Sequence, residues 1–199
     1  MFCDTLGDVT DPIDRYREWF AAAAETKCAE PKAACLSTVD ASGRPSGRMV
    51  LIQYADARGL AFFTNFNSRK AHELDAQPHA SLCVFWREIE RQVRFEGRVS
   101  RVPDAEADEY FATRPRESQL GAWASDQSAA LASREALERR FDEQSRKFTG
   151  MAVSRPPFWG GYRLAPDRVE FWSGRPGRLH DRELFEREGS TWRRSLLFP

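Results

Sequence analysis

From Asp11 onward, apolar residues recur at helical spacing, at Ile13, Tyr16, Trp19, Phe20 and Ala23. With Asp11-Pro12 as cap and first turn, this spacing predicts one amphipathic helix to about Lys27. After Ala33 the pattern changes to short period-two runs at 34–39, 48–54 and 60–64, punctuated by Asp40-Ala41-Ser42-Gly43 and Asp56-Ala57-Arg58-Gly59. These three runs read as an antiparallel meander. A short helix is predicted over 68–76, closed by Pro78, followed by strands at 80–86 and 92–102. Helical patterns return at 104–113 and at 134–148, where Leu137, Phe141 and Phe148 form the apolar stripe. Beyond Pro156-Pro157 come strand-like runs at 161–164, 169–173, 182–187 and 191–195. Many short strands with helices inserted rather than alternating predict a mainly β, α+β chain built around a small barrel. No repeat or long linker divides it. Residues 1–199 therefore read as a single domain, with 1–30 as an N-terminal helical segment and 158–199 as closing strands of the same unit.

Composition narrows the partners. The chain has 41% hydrophobic and 30% charged residues, as soluble globular proteins do, and its 30 basic and 30 acidic side chains leave no net charge. No sequence-wide field draws it to nucleic acid or to an anionic membrane. Of the basic residues 26 are Arg and only 4 are Lys. Cys3, Cys28, Cys35 and Cys83 show neither CxxC nor metal-ligand spacing, which predicts reduced thiols in a cytoplasmic protein. No apolar run approaches a membrane span, and a start carrying Asp4, Asp8 and Asp11 does not read as a signal peptide.

Candidate chemistry begins at Asn67-Ser68-Arg69-Lys70, where two cations sit at a helix start behind a capping pair. A helix start already carries about half a positive charge, so Arg69 and Lys70 oppose the local field unless an anion joins them. Free N–H groups, hydroxyls and a cation pair together predict a phosphorylated ligand. In Arg178-Leu179-His180-Asp181-Arg182, residues 178, 180 and 182 share a face if the segment is extended, and two guanidiniums around an imidazole suit a planar anionic ligand. Gln92 lies with Arg94, Glu96 and Arg98 on one strand face, and its amide offers donor and acceptor to a heterocycle edge. Tyr110, Arg114, Arg116 and Ser118 gather around a helix end stopped by Pro115, a second candidate phosphate pocket. No GxGxxG, Walker loop or GxSxG turn is present, and His72, His79 and His180 lack metal spacing. The chemistry then falls to an organic cofactor, with no metal.

Taken together, the blocks resemble the pyridoxamine 5′-phosphate oxidase family. The carriers are Arg48-Met49-Val50-Leu51, Phe63-Thr64-Asn65, Ser68-Arg69-Lys70-Ala71-His72, Glu90-Arg91-Gln92-Val93, the run from Arg114 to Trp123, Gln127-Ser128, Phe158-Trp159-Gly160-Gly161, Glu170-Phe171-Trp172 and Arg178-Leu179-His180-Asp181-Arg182. The resemblance implies an FMN-binding split β-barrel homodimer with the flavin at the subunit interface. By the same likeness Arg48, Met49, Val50, Leu51, Phe63, Thr64, Arg69, Lys70, Gln92, Gln127, Ser128, Trp172 and Arg182 would hold FMN, with Arg69 and Lys70 on its phosphate. Tyr110, Arg114 and Ser118 would grip the substrate phosphate, and Arg178 and His180 would lie against the pyridine ring as the catalytic pair. The implied reaction converts pyridoxine or pyridoxamine 5′-phosphate to pyridoxal 5′-phosphate, O2 being reduced to H2O2. Phe63 stands where many members have Tyr. Gln53 stands where the family usually places a substrate-binding Lys, and removes a charge there. That departure favours a flavin oxidase of the same fold acting on another aromatic compound, such as a dihydrophenazine; a third reading is a carrier of flavin or pyridoxal phosphate without turnover.

Overall fold

A computed structural model describes residues 11–199. Helix α1 (Pro12–Ala24) starts as its sequence requires, the Asp11 carboxylate accepting a hydrogen bond from the Ile13 N–H. Strands β1 (Ala33–Val39), β2 (Pro45–Leu51), β3 (Tyr54–Asp56) and β4 (Gly59–Asn65) precede helix α2 (Arg69–Ala76). Then come β5 (His79–Trp86), β6 (Arg91–Arg101) and the helices α3 (Asp104–Thr113), α4 (Arg116–Ala124) and α5 (Arg134–Lys147). The chain closes with β7 (Trp159–Ser173), β8 (Asp181–Glu188) and β9 (Thr191–Leu196).

The strands form one antiparallel sheet in the order β2-β1-β5-β6-β7-β4-β3, with β8 and β9 continuing from β7. The sheet curls until β2 and β4 touch without a ladder between them, which makes the barrel a split one. Its inside is filled by Leu36, Phe62, Leu82, Val84, Val93, Phe95, Val169 and Phe171. Helix α1 lays Tyr16 against Trp86 and Phe95, and Trp19 edge-on against Phe171. Burying each such ring contributes about 2–3 kcal/mol. A smaller core of Phe111, Leu120, Phe148, Val153 and Trp159 packs the α3–α5 helices against the first half of β7.

The structure departs from the sequence reading in four places. The meander is two hairpins, β1–β2 and β3–β4, lying apart in the sheet. The run 48–54 breaks at Ile52-Gln53, because the Ile52 N–H still bonds the Lys32 carbonyl while the Gln53 N–H turns to that of Ala61 on β4. The runs 161–164 and 169–173 are one strand: Pro166, which lacks an N–H, falls opposite Gly97, where the register with β6 shifts. Helix α4 escaped the pattern because it is short and buries only Gln119, Leu120 and Ala124. Cys28, Cys35 and Cys83 are free thiols, while Cys3 and the acidic start lie outside the described residues. No helix among the described residues is long and apolar enough to cross a membrane.

Candidate functional site

The corner where α2 meets β4 gathers the cations that the sequence placed there. Ser68 precedes the helix, fully buried, but its hydroxyl makes no capping bond. It turns instead toward Lys70, whose ammonium also donates to Thr64 Oγ1 at 3.1 Å and Gln127 Oε1 at 2.6 Å. Thr64 donates to the same Gln127 oxygen at 2.8 Å, so the Gln127 amide N–H group is left facing outward. The Arg69 N–H donates to Ser128 Oγ at 3.2 Å, and Ser128 holds a left-handed φ of 74°. Burial pushes the Lys70 ammonium down to about 8, and the neighbouring Arg48 charge pushes the same way.

Beneath this corner lies Glu73, 4% exposed. It accepts from Thr38 and Ser46, from Arg69 Nε at 2.7 Å and from Arg48 at 2.9 Å. Burial works against its charge, but the hydrogen bonds from Thr38, Ser46, Arg69 and Arg48 prevail and lower its pKa to about 2. Arg48 is thereby turned inward, bonded also to Ser46, Thr38 and the Leu36 carbonyl. Lys70 has no carboxylate within hydrogen-bond reach among the described residues, so it is the corner cation left over for an incoming anion.

A second pocket of about 290 Å³ is lined by Asn65, Arg114, Ser118, Gln127 and Trp159. The Arg114 guanidinium lies over the Trp159 ring at 4.7 Å and the Phe111 ring at 5.6 Å. Its Nη1 is buried without a hydrogen-bond partner, and burial lowers its pKa. Tyr110 stacks on Phe63 at 4.1 Å, and Phe63 on Trp159 at 5.5 Å. Gly160 and Gly161 permit this: a Cβ on Gly161 would meet Phe63 at 2.8 Å, and one on Gly160 would meet Phe66 at 2.4 Å. Phe63 thus backs onto Trp159, which lines the Arg114 pocket. Arg116 does not join it, because its guanidinium is spent on the Phe148 and Met151 carbonyls.

The third group lies on the outer face of the sheet. Gln92 pairs with Trp172 across β6–β7, and Trp172 with Arg182 across β7–β8, so the three form one cross-strand row. His180 packs on Trp172 at 4.6 Å, and its Nδ1 accepts from the Arg175 N–H. In the neutral ring the proton then sits on Nε2. Glu170, 3% exposed, clamps Arg182 at 2.8 Å and Arg94 at 2.7 Å. Arg178 departs from the expected extended segment. It lies in a tight turn at φ 61° just after Gly177 at φ 66°, and the strand begins only at Asp181. Met49, Leu51 and Phe85 are exposed on this same side of the sheet, while Val50 is buried in the core and can offer a ligand only its backbone.

The phosphate corner and this row are not in contact among the described residues. Thr64 pairs with Gly160 at one end of β7, Gln92 with Trp172 at the other, and the strand between them covers about 40 Å when fully extended. Sequence reasoning passed over Glu73 and Glu170, since a glutamate beside arginines reads as a surface ion pair. Their burial, legible only in the fold, is what separates them from that case.

Known proteins place this arrangement. Residues 20–147 match the family model described as pyridoxamine 5′-phosphate oxidase, and 159–199 that of the pyridoxine 5′-phosphate oxidase C-terminal dimerisation region. The chain belongs to the pyridoxamine 5′-phosphate oxidase family. It is 53% identical over 189 residues to a pyridoxine/pyridoxamine 5′-phosphate oxidase of Rubrobacter xylanophilus, covering 95% of this chain and 87% of that one. It is 54% identical to the enzyme of that name from Anaeromyxobacter dehalogenans, covering 95% and 96%. Among solved structures it matches PhzG from Burkholderia lata 383, solved with tetrahydrophenazine-1-carboxylic acid, at 35% identity and TM-score 0.92, covering 100% of this chain and 98% of that one. A pyridoxamine 5′-phosphate oxidase-related, FMN-binding protein from Nostoc punctiforme shares the fold at TM-score 0.76 and 17% identity, covering 96% and 99%. Family membership makes the chain an FMN-dependent oxidase of this type, and a half-buried Lys70 with no carboxylate in hydrogen-bond reach among the described residues fits a flavin phosphate.

Proposed function

We propose that this protein oxidises pyridoxine or pyridoxamine 5′-phosphate to pyridoxal 5′-phosphate, with O2 reduced to H2O2. The observation carrying the reading is the half-buried Arg114 guanidinium, whose Nη1 is buried without a hydrogen-bond partner, beside Tyr110 and Ser118. It is a second cationic centre beside the Lys70 corner, Gln127 standing between the two, so one phosphate belongs to the cofactor and the other to the substrate. A buried charge without a counterion is costly, and a bound phosphate ester removes that cost.

Bound FMN supplies the two-electron acceptor. The chain's residues do the rest: Lys70, Arg69, Thr64, Gln127 and Ser128 hold the cofactor phosphate, and Gln92, Trp172 and Arg182 face its ring system. Arg114, Tyr110 and Ser118 fix the substrate's phosphate, which orients the reacting carbon. His180 holds a proton at Nε2 toward the ring side, and Arg178 adds positive charge there. Because corner and row sit at opposite ends of β7, a second copy of the chain supplies the row. The exposed Met49, Leu51 and Phe85 on the row's face support a homodimer with FMN between the subunits. On this reading residues 11–199 act as one domain, β7 of the second family-matched region pairing with β4 and β6 of the first.

Flavin-loaded protein given pyridoxamine 5′-phosphate and oxygen releases peroxide and pyridoxal phosphate in equal amounts; loaded protein that turns over neither vitamer ends the proposal. A second reading, oxidation of a dihydrophenazine-type carboxylic acid, is favoured by the likeness to PhzG and by Gln53. The same peroxide assay with a reduced phenazine carboxylate in place of the vitamer separates the two.

A further inference from the structure

A phosphate dianion held by Arg114 alone keeps about half its charge uncompensated, and Arg116 is already committed to backbone carbonyls. One more cation stands nearby. Lys32, one of four lysines in the chain, directs its ammonium to Gln53 Oε1 at 3.4 Å and enters no ion pair among the described residues. Both ends of this contact are fixed by backbone. The Lys32 carbonyl accepts from the Ile52 N–H at 2.9 Å, the Gln53 N–H donates to Ala61 at 2.8 Å, and the preceding Pro31 carbonyl accepts from Trp86 Nε1 at 2.9 Å. The residue after Gln53, Tyr54, sets its ring edge-on against Tyr110 at 5.9 Å and Phe63 at 6.0 Å, the two rings stacked on Trp159, which lines the Arg114 pocket.

An amide can face either way round. A lysine bound to its oxygen decides the matter, because the ammonium can only donate. The Gln53 NH2 group is then turned away from Lys32 and free to donate.

We infer that Lys32 is a positioning residue for the substrate phosphate: it orients the Gln53 amide so that its N–H group meets the anion, and adds a positive charge behind it. This rests on the function proposed above. It makes the Lys32–Gln53 pair a determinant of preference for phosphorylated over unphosphorylated substrates.

The test uses flavin-loaded protein carrying Lys32→Met, Gln53→Lys or both. Lys32→Met raises KM for pyridoxamine 5′-phosphate roughly tenfold with little change in kcat, as loss of one charge-assisted contact requires. Its KM for unphosphorylated pyridoxamine stays that of the unaltered protein. The double variant, with the cation moved to position 53, recovers the affinity. A purely structural role would weaken both substrates together and would not be rescued. Unchanged KM in Lys32→Met, equal losses for both substrates, or no recovery in the double variant overturns the inference. Pyridoxal phosphate binding, followed by absorbance in the same variants, reads the same contact without turnover. If the unaltered protein oxidises no vitamer, the proposed function fails, and the binding measurement still decides whether Lys32 serves a phosphate.

Discussion

Two buried glutamates each hold a pair of arginines, and the difference between their surroundings separates the two halves of the proposed cofactor site. Glu73 holds Arg48 and Arg69 at the α2 corner; Glu170 holds Arg94 and Arg182 on the outer row. Charge count alone would rank the two alike. At the corner, though, Lys70 remains enclosed and unpaired, with helix N–H groups and the Gln127 amide around it, a setting for a compact dianion. On the row Glu170 engages both Arg182 and Arg94, and what the residues beside Trp172 offer is a flat surface with hydrogen-bonding edges, a setting for a ring. An arginine marks a phosphate site only when its acid partner leaves donors free.

The largest expected effect comes from removing Glu73. Glu73→Ala strands Arg48 against Thr38 and Ser46 without a counterion, and should cost about 3 kcal/mol of stability in urea unfolding of the flavin-free protein. A loss below about 1 kcal/mol would make Glu73 no more than a surface partner. Next, Arg114→Ala should lower kcat/KM for pyridoxamine 5′-phosphate by about 2–3 kcal/mol, near a hundredfold. Flavin content should stay intact, since no residue of the corner is touched.

The comparison itself is sharpened by a pair of variants read against two ligands. Lys70→Gln should weaken FMN roughly tenfold while leaving riboflavin, which has no phosphate, unaffected. Glu170→Gln loosens Arg182 on the ring side, so it should weaken FMN and riboflavin to a similar, smaller extent. If both variants showed the same pattern, the division between phosphate corner and ring row would be lost.

The smallest effect is a pH dependence. The Lys70 pKa is lowered to about 8 by burial and by Arg48, so below pH 8 the empty site already carries the charge. A bound dianion raises that pKa again, and above pH 8 binding must take up a proton. FMN affinity should therefore hold steady from about pH 6.5, above the second phosphate ionisation, to pH 8. It should then fall by at most about tenfold per unit. Lys70→Arg should flatten the alkaline limb in fluorescence titrations.

Much of this was legible in the chain. The Asp11-Pro12 cap, the strand pairs around glycine turns and the α2 corner followed from local chemistry, because each depends on residues close in sequence. Gln92 and Arg182 were marked by their strand faces and Trp172 by the family likeness, and their alignment in one row was settled only by register between distant strands. The Arg178 turn was misread as extended because a positive φ at a non-glycine residue leaves no periodic trace. Phe63 was marked for the cofactor by likeness alone, and its stacking on Tyr110 and Trp159 could be seen only in the fold. Glu73, Glu170 and the Lys32–Gln53 contact were illegible for one reason: sequence gives the charge of a side chain but not whether water reaches it.

The central claim is that corner and row meet only between two copies of the chain. Unfold and refold together a corner variant, Lys70→Gln with Arg69→Gln, and a row variant, Arg182→Gln with Trp172→Ala, each with little activity alone. If each site takes its corner from one subunit and its row from the other, random pairing restores about a quarter of the wild-type sites, all in mixed dimers. Activity no higher than the average of the two parents would place the whole site within one chain and contradict the account.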